Sequence, residues 1–570
     1  MTDPDHPTRG IVTQIELLTL APGDTAAAVH DAWDLGPRRC SSSSPAAVAR
    51  ALASPAGEAV LVLDHRLPLP PDTVLDRLLA GPADAWHGGL ALGLAGQPRF
   101  YDHVNPLWMF NAPLDPTVEA TSWRLSLRAL LVRRSVLDQL GGPLGSFDTL
   151  AGSALELGLR WIRAGALVRH VPDLVPADSS TDGPPTDADG LRLIGRHHGR
   201  TWAGWALQRA VVTRDLSPAA ARRLVPLVRA ASMDPLPHYL PPGRPPGATD
   251  RTVSVALPTI DRYPYLEPLL HQLAAQTTRP HQVLIVDQTP RPRRRPDLAE
   301  VEPGLPVTVF EQDTPGQSTA RNRALRAASG EFVLFIDDDD EIGPDLIAEH
   351  LRRLTDGIDA SSGGVDDATA GPPPEGFRHR RANDNFPTNN TMLRRSALAR
   401  SGLFDPAFDR LPMEDHDLGL RLHLAGATLL YDPDVLVYHH HAPAGGLRVH
   451  GTRAVTRAGS RRSLRQRNLP AVTELALGHR YGTARQRREA RAIRTLSTLS
   501  GDGPATRRIS RLVVQLALLP STVRRIRVAD AAAAVFAAPP GPTTEPVETD
   551  PVTTDPTEPD PVTTDPAATR

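Results

Sequence analysis

The chain has 570 residues, 63 basic and 65 acidic side chains and a formal net charge of -2. That length allows about three to four domains, and the balanced charge excludes bulk attraction to nucleic acid or an anionic membrane. Every basic residue is arginine, and the single cysteine, Cys40, excludes an internal disulfide framework and a Cys-rich zinc centre. Met1–Gly10 carries no signal-peptide pattern, and no apolar run approaches the roughly 18 to 20 residues that span a bilayer, so a cytoplasmic location is expected.

In chain order, residues 1–175 form a first unit, followed by a linker region with a helical segment over 176–250. Pro, Gly, Ser and Asp cluster there at Pro176–Gly190 and Pro235–Asp250. Residues 251–445 alternate in period: Val253–Leu257 reads as strand, Leu266–Ala275 as helix, Val283–Val286 as strand, Ser318–Ala328 as helix and Phe332–Ile336 as strand. This predicts an α/β domain with a mainly parallel sheet whose ligands sit at the carboxyl ends of the strands. Residues 446–530 read as helical and arginine-rich, including Arg461, Arg462, Arg465 and Arg467. Arg507–Arg527 reads as a basic amphipathic helix around Leu512, Leu516 and Leu519, interrupted by Pro520. Such a segment is either a solvated face or a peripheral docking surface at the inner face of the membrane. Residues 531–570 repeat Asp-Pro-Val-Thr-Thr-Asp-Pro at Asp550–Pro556 and Asp560–Pro566, and have too little to bury to be expected to fold.

The first and third units are related. Arg133–Asp173 aligns without a gap with Arg394–Asp434, with 17 identities in 41 positions. Glu58–Asp72 aligns with Glu331–Asp345, which pairs Asp64 with Asp337. Apolar and glycine positions recur, but the ionisable cluster does not: His65, Arg66 and Leu67 stand opposite Asp338, Asp339 and Asp340, and Ser153 and Ala154 opposite Glu414 and Asp415. The first unit is expected to share the fold and lack the site.

In the later unit, Asp337–Asp340 follow a buried strand, Glu414 and Asp415 open a helix, and His439–His441 follow a strand at Val435–Tyr438. Four neighbouring carboxylates repel one another unless a cation neutralises them or the loop is solvated. Aspartates with an imidazole suit Mg²⁺ or Mn²⁺, the cations that bind phosphate oxygens. A carboxylate fixed at a helix N-terminus suits a general base.

Thr252–Ala442 resembles the family 2 glycosyltransferases of the GT-A fold. The motifs that carry the resemblance are Val253–Thr259, Val286-Asp287, Ala320-Arg321-Asn322, Phe335–Asp339, Asn389–Arg395, and Glu414-Asp415 followed by Arg421. With the internal repeat, this implies two GT-A-like domains with mainly parallel central sheets. It implies inverting, metal-dependent transfer of a sugar from a nucleotide-diphosphate donor, UDP-sugar favoured, to an acceptor hydroxyl that is lipid-linked or part of a glycan. Pro258, Thr259, Asp287, Arg321, Asp337 and Asp338 would then bind donor, and Asp339 with His439 or His440 would bind Mn²⁺ or Mg²⁺. Asp415, beside Glu414, would be the base. Asp287 is followed by Gln288-Thr289-Pro290 where the family more often has Asp-Gly-Ser. Two other readings are a non-catalytic carbohydrate- or nucleotide-binding module and a sugar nucleotidyltransferase. Against the last, Leu257–Arg262 offers no glycine-rich phosphate loop.

Overall fold

A computed structural model of the chain describes residues 14–21, 33, 35–88, 100–106, 108–176, 184–243, 246–366, 373–446 and 457–536. The Thr/Pro/Asp repeats of the expected tail lie outside the described residues. The first sheet contains β1 (Ile15–Ala21), β2 (Arg38–Ser42), β3 (Ala59–Asp64), β4 (Ala85–His87), β5 (Ala120–Thr121), β6 (Ala129–Arg133) and β7 (Val168–His170), in the order β2-β1-β3-β6-β4-β7-β5. The second contains β8 (Val253–Thr259), β9 (Gln282–Asp287), β10 (Val307–Glu311), β11 (Phe332–Ile336), β12 (Asp340–Ile342), β13 (Ala360–Asp366), β14 (Arg381–Ala382), β15 (Asn390–Arg394) and β16 (Leu429–His439). Its order is β10-β9-β8-β11-β15-β13-β16-β12, with β14 paired to β16.

Helices cover these sheets, so the class is α/β, but the sheets are mixed rather than mainly parallel. β8, β9, β10 and β11 are parallel, whereas β15 runs antiparallel to both β11 and β13. Among the described residues no α-helix lies between β13 and β15, so the two are not joined by the helical crossover that a parallel pair needs. β11 is apolar and buried at all five positions, as a central strand covered on both faces must be.

The two sheets pair alike. β3 and β6 run antiparallel with Ala59 opposite Arg133, and β11 and β15 with Phe332 opposite Arg394. β5 meets β7 through Thr121–Arg169, and β14 meets β16 through Ala382–Leu430. The contacts between the units are reciprocal. A Cβ on Gly165 would lie 2.5 Å from Arg380 O, and one on Gly426 would lie 2.5 Å from Glu119 O. Both glycines have positive φ, 109° and 87°. His379 Nε2 lies 3.0 Å from Arg163 O, while the corresponding pair, Val118 and Leu424, both pack on the apolar cluster of Leu114 and Ala120. An interface in which i meets j and the counterpart of j meets that of i is isologous, the pattern of a two-fold dimer.

The region after β7 contains the helices Asp187–Val212 and Pro218–Ala230. The C-terminal helices Val472–Tyr481, Ala484–Ser497 and Ala505–Ala533 fasten to both units. Arg209 holds Glu489 at 2.8 and 2.9 Å, and Arg480 and Tyr481 hold Asp417 at 2.8 and 2.7 Å. Ala505–Ala533 continues through Pro520, contrary to the expected interruption. Pro520 and Leu516 are exposed, so the carbonyl left without an amide partner can be solvated. Among the described residues no helix is long and apolar enough to cross a membrane.

Candidate active site

A cavity of about 470 Å³ opens at the carboxyl ends of β8 and β11. Pro258, Thr259, Arg321, Asp337, Asp338, Asp339, Glu414, Asp415 and His439 all line it, so five separate stretches of sequence meet there. The loop after β11 is the first wall. Asp338 accepts from Thr259 Oγ1 at 2.7 Å and from Arg262 Nη1 at 2.8 Å. Arg262 Nη1 also donates to Asp339 Oδ1 at 2.8 Å, and Ala442 N donates to Asp339 Oδ2 at 2.8 Å. Asp340 turns back to accept from Asp337 N at 2.9 Å, and its other oxygen lies 2.7 Å from His439 Nδ1.

Burial pushes the Asp338 carboxyl up to about 6 despite Arg262, and the Asp340 carboxyl up to about 7 despite its bond to His439. Asp337 is likewise raised, by burial, against the pull of Arg321. Burial tends to lower the pKa of His439, but the hydrogen bond to Asp340 and the neighbouring carboxylates outweigh it and raise it. Burial of this wall thus favours the neutral forms of these carboxyls even beside Arg262 and Arg321. Ligand atoms of Asp337, Asp339 and His439 all lie within 4.8 Å of one another, and two carboxylates with one imidazole suit Mg²⁺ or Mn²⁺.

The helix Glu414–Leu424 is the second wall. Met413, just before it, takes φ 85°, a left-handed turn that a non-glycine residue rarely adopts, and it delivers Glu414 and Asp415 at the helix N-terminus. Arg321 spans the walls, 3.3 Å from both Asp337 Oδ1 and Glu414 Oε1. Its helix, Gln317–Ala327, is tied to the loop before Met413: Asp409 accepts from Ser318 N at 2.7 Å, and Gln317 donates to Leu411 O at 2.6 Å. Burial and the charge of Asp415 push Glu414 up to about 7. Burial also acts upward on Asp415, but the hydrogen bond and charge of His416, at 2.8 Å, hold its carboxyl below the usual range. One carboxyl of the pair is thus kept ionised while its neighbour is poised near neutrality.

Two expected residues stand apart. Asp287, at the end of β9, accepts from Tyr263 Oη at 2.7 Å and Thr289 N at 2.9 Å and is not on the cavity wall. His440 points to Glu341 at 3.0 Å and rests on Tyr438 and Tyr265, outside the cation cluster. Asp337, expected from the resemblance to bind donor, lines the cavity and is also part of that candidate cluster. Sequence reasoning missed Arg262, Gln288 and His416, all on the wall. The signals were an arginine soon after the first strand and a histidine adjoining the expected base.

Residues 254–406 match the family described as Glycosyl transferase family 2. The chain is 27% identical over 195 residues to the succinoglycan biosynthesis protein ExoM of Rhizobium meliloti (strain 1021), covering 31% of this chain and 63% of that protein. It is 29% identical over 353 residues to the O-antigen biosynthesis protein RfbC of Myxococcus xanthus, covering 55% of this chain and 25% of that one. The chain therefore spans less than two thirds of either relative. A solved structure, mannosyltransferase PcManGT from Pyrobaculum calidifontis in complex with GDP-Man and Mn²⁺, is similar with a TM-score of 0.31 and 20% identity, over 51% of this chain and 77% of that one. Residues 254–406 are a domain of glycosyl transferase family 2.

Proposed function

We propose that the protein is an inverting glycosyltransferase that moves a sugar from a nucleotide-diphosphate donor to an acceptor hydroxyl. The observation that carries this reading is that the cation cluster Asp337, Asp339 and His439 and the carboxylate pair Glu414–Asp415 face one cavity. Asp415 takes the acceptor hydroxyl proton, and the freed oxygen forms a bond to the anomeric carbon on the face opposite the donor diphosphate. As that bond forms, the bond from the anomeric carbon to the diphosphate oxygen breaks, with its electron pair leaving on the diphosphate. Asp337, Asp339 and His439 would hold Mn²⁺ or Mg²⁺, which when bound neutralises charge on the diphosphate. Arg321 adds fixed positive charge beside Asp337, and His416 keeps the base ionised. Pro258, Thr259 and Asp338 border the donor side, with Asp287 behind them on β9.

The N-terminal unit acts in this reading as a copy without a donor site. Its Asp64 is already paired with Arg66 and Arg128 at 2.8 and 3.0 Å. In this reading the acceptor is membrane-borne, supported by the exposure of Ile509, Leu512, Val513 and Leu516 on the arginine-rich helix Ala505–Ala533, a composition suited to peripheral contact with an anionic surface.

The test is a panel of UDP-, GDP- and dTDP-sugars assayed for donor hydrolysis and transfer with and without Mn²⁺. One donor should be turned over, with loss of turnover on chelation and in Asp339→Asn and Asp415→Asn. Turnover indifferent to all three treatments would refute the mechanism.

A further inference from the structure

A second cavity, of about 670 Å³, lies between the two units at the opposite end of the sheets from the candidate active site. Its walls are the carboxyl end of the helix Asp72–Ala80, the loop before β4, the loop before β13 and the turn Ala425–Thr428 before β16. Its apolar side is Leu78, Trp86 and Val118.

The reciprocal packing of the units gives this cavity a counterpart, and the chain's own linker lies in that counterpart. Tyr239, 2% exposed, donates its hydroxyl to Asp84 Oδ1 at 3.1 Å, lies 3.0 Å from Ser135 Oγ, and donates its amide to Ala164 O at 2.8 Å. Leu240 exchanges two hydrogen bonds with the Gln139 side chain, 2.8 and 2.9 Å. The linker then reaches the carboxyl end of the helix Leu346–Arg353, where Gly247 N donates to Arg352 O at 3.0 Å.

The groups that hold Tyr239 recur in the second unit, and two of them, Asp359 and Ala425, line the second cavity. Ala164 corresponds to Ala425 and Ser135 to Ser396 in the alignment, and strand pairing makes Asp84 and Asp359 equivalent. Asp84 Oδ2 accepts from Leu167 N, and Asp359 Oδ2 accepts from Thr428 N, both at 2.8 Å. The remaining oxygen of Asp84 faces Tyr239, whereas that of Asp359 faces Arg400 at 3.5 Å. Arg400 stands where Gln139 does, and Ser396 is exposed.

We propose that this cavity is a docking groove for an extended, tyrosine-bearing segment of a partner protein. The tyrosyl hydroxyl donates to Asp359 and the backbone amide to the Ala425 carbonyl, reproducing the way the linker is held. The charged lining favours such a segment over a polyanion, because Arg77, Arg169 and Arg400 are matched by Glu119, Asp356 and Asp359. Arg77 already pairs with Glu119 at 3.0 Å. The groove is remote from the catalytic cavity, so the inference stands or falls independently of the proposed reaction.

The probe is a fluorescent synthetic peptide with the sequence of residues 236–243, titrated into the full-length protein and followed by anisotropy. One peptide should bind per chain, saturably. Asp359→Ala, or phenylalanine for the peptide tyrosine, should each weaken binding about tenfold, the value of one buried hydrogen bond. The two changes together should cost no more than either alone. Ala80→Arg, an exposed change on the cavity wall that leaves the Asp359–Thr428 contact intact, should block the groove if Asp359→Ala impairs folding. Absence of saturable binding, or binding indifferent to both protein variants, would overturn the proposal. Concentration-dependent dimerisation suppressed by the peptide would also overturn it, by assigning the groove to a second copy of this chain.

Discussion

Asp64 and Asp337 stand at the carboxyl ends of matching strands, β3 and β11, in sheets with matching registers, yet their surroundings are opposite. Burial pushes the Asp64 carboxyl up, but hydrogen bonds from Arg66 and the charge of Arg128 outweigh it and bring it down to about 2. In the second sheet, Asp338 and Asp340 are pushed up to about 6 and about 7, chiefly by burial. The first unit closes its strand end with its own cations, whereas the second keeps an excess of buried carboxylates. The strand and its turn form either way, so the acidic cluster is not what folds the strand, and its carboxylates include those of the candidate cation site.

The largest expected effect sharpens that comparison at the second wall. Asp415→Asn should lower turnover by about 10²–10⁴ while leaving circular dichroism and Tm near those of the parent, since the aligned Ala154 supports the same helix without a carboxylate. Arg128→Ala tests the first unit: it strips a 1% exposed arginine from Asp64 and should cost about 3–5 kcal/mol in denaturant unfolding, with activity per folded molecule unchanged. If turnover fell instead with stability intact, the first unit would hold part of the active site.

The pH dependence of stability is smaller and of opposite sign in the two units. Asp338 and Asp340 have folded pKa values above the ordinary 3.8, so their contribution is fully present below that value and is lost as pH rises through about 6 and about 7. Asp64, lowered from 3.8 to about 2, contributes above pH 3.8 and loses that contribution only as pH falls through about 2. Metal-free protein should therefore lose Tm between pH 4 and pH 7, and Asp338→Asn or Asp340→Asn should flatten that slope. A slope unchanged in both variants would show that the buried carboxylates do not carry it.

Much of this was legible in the sequence, because it depends on local pattern. The alternation at Val253–Leu257, Val283–Val286 and Phe332–Ile336 gives β8, β9 and β11 nearly in full. The ordered acidic motifs point to one crevice, and Asp337, Asp339, His439, Glu414 and Asp415 do share it. Other features depend on contacts between distant residues. The direction of β15, the grip of Arg262 on Asp338 and Asp339, and the outward turn of His440 onto Glu341 leave little trace in spacing. Continuity through Pro520 likewise depends on which side of the helix faces water.

Divalent-cation stoichiometry tests the contrast between the two units most directly. Titration of the full-length protein with Mn²⁺ in the presence of a nucleoside diphosphate, followed calorimetrically, should give one site per chain. That site should disappear in Asp339→Asn and persist in Arg66→Ala, which removes the half-exposed arginine that covers the buried Asp64. Two sites per chain, or one that survives Asp339→Asn, would contradict the assignment of the cation to the second unit alone.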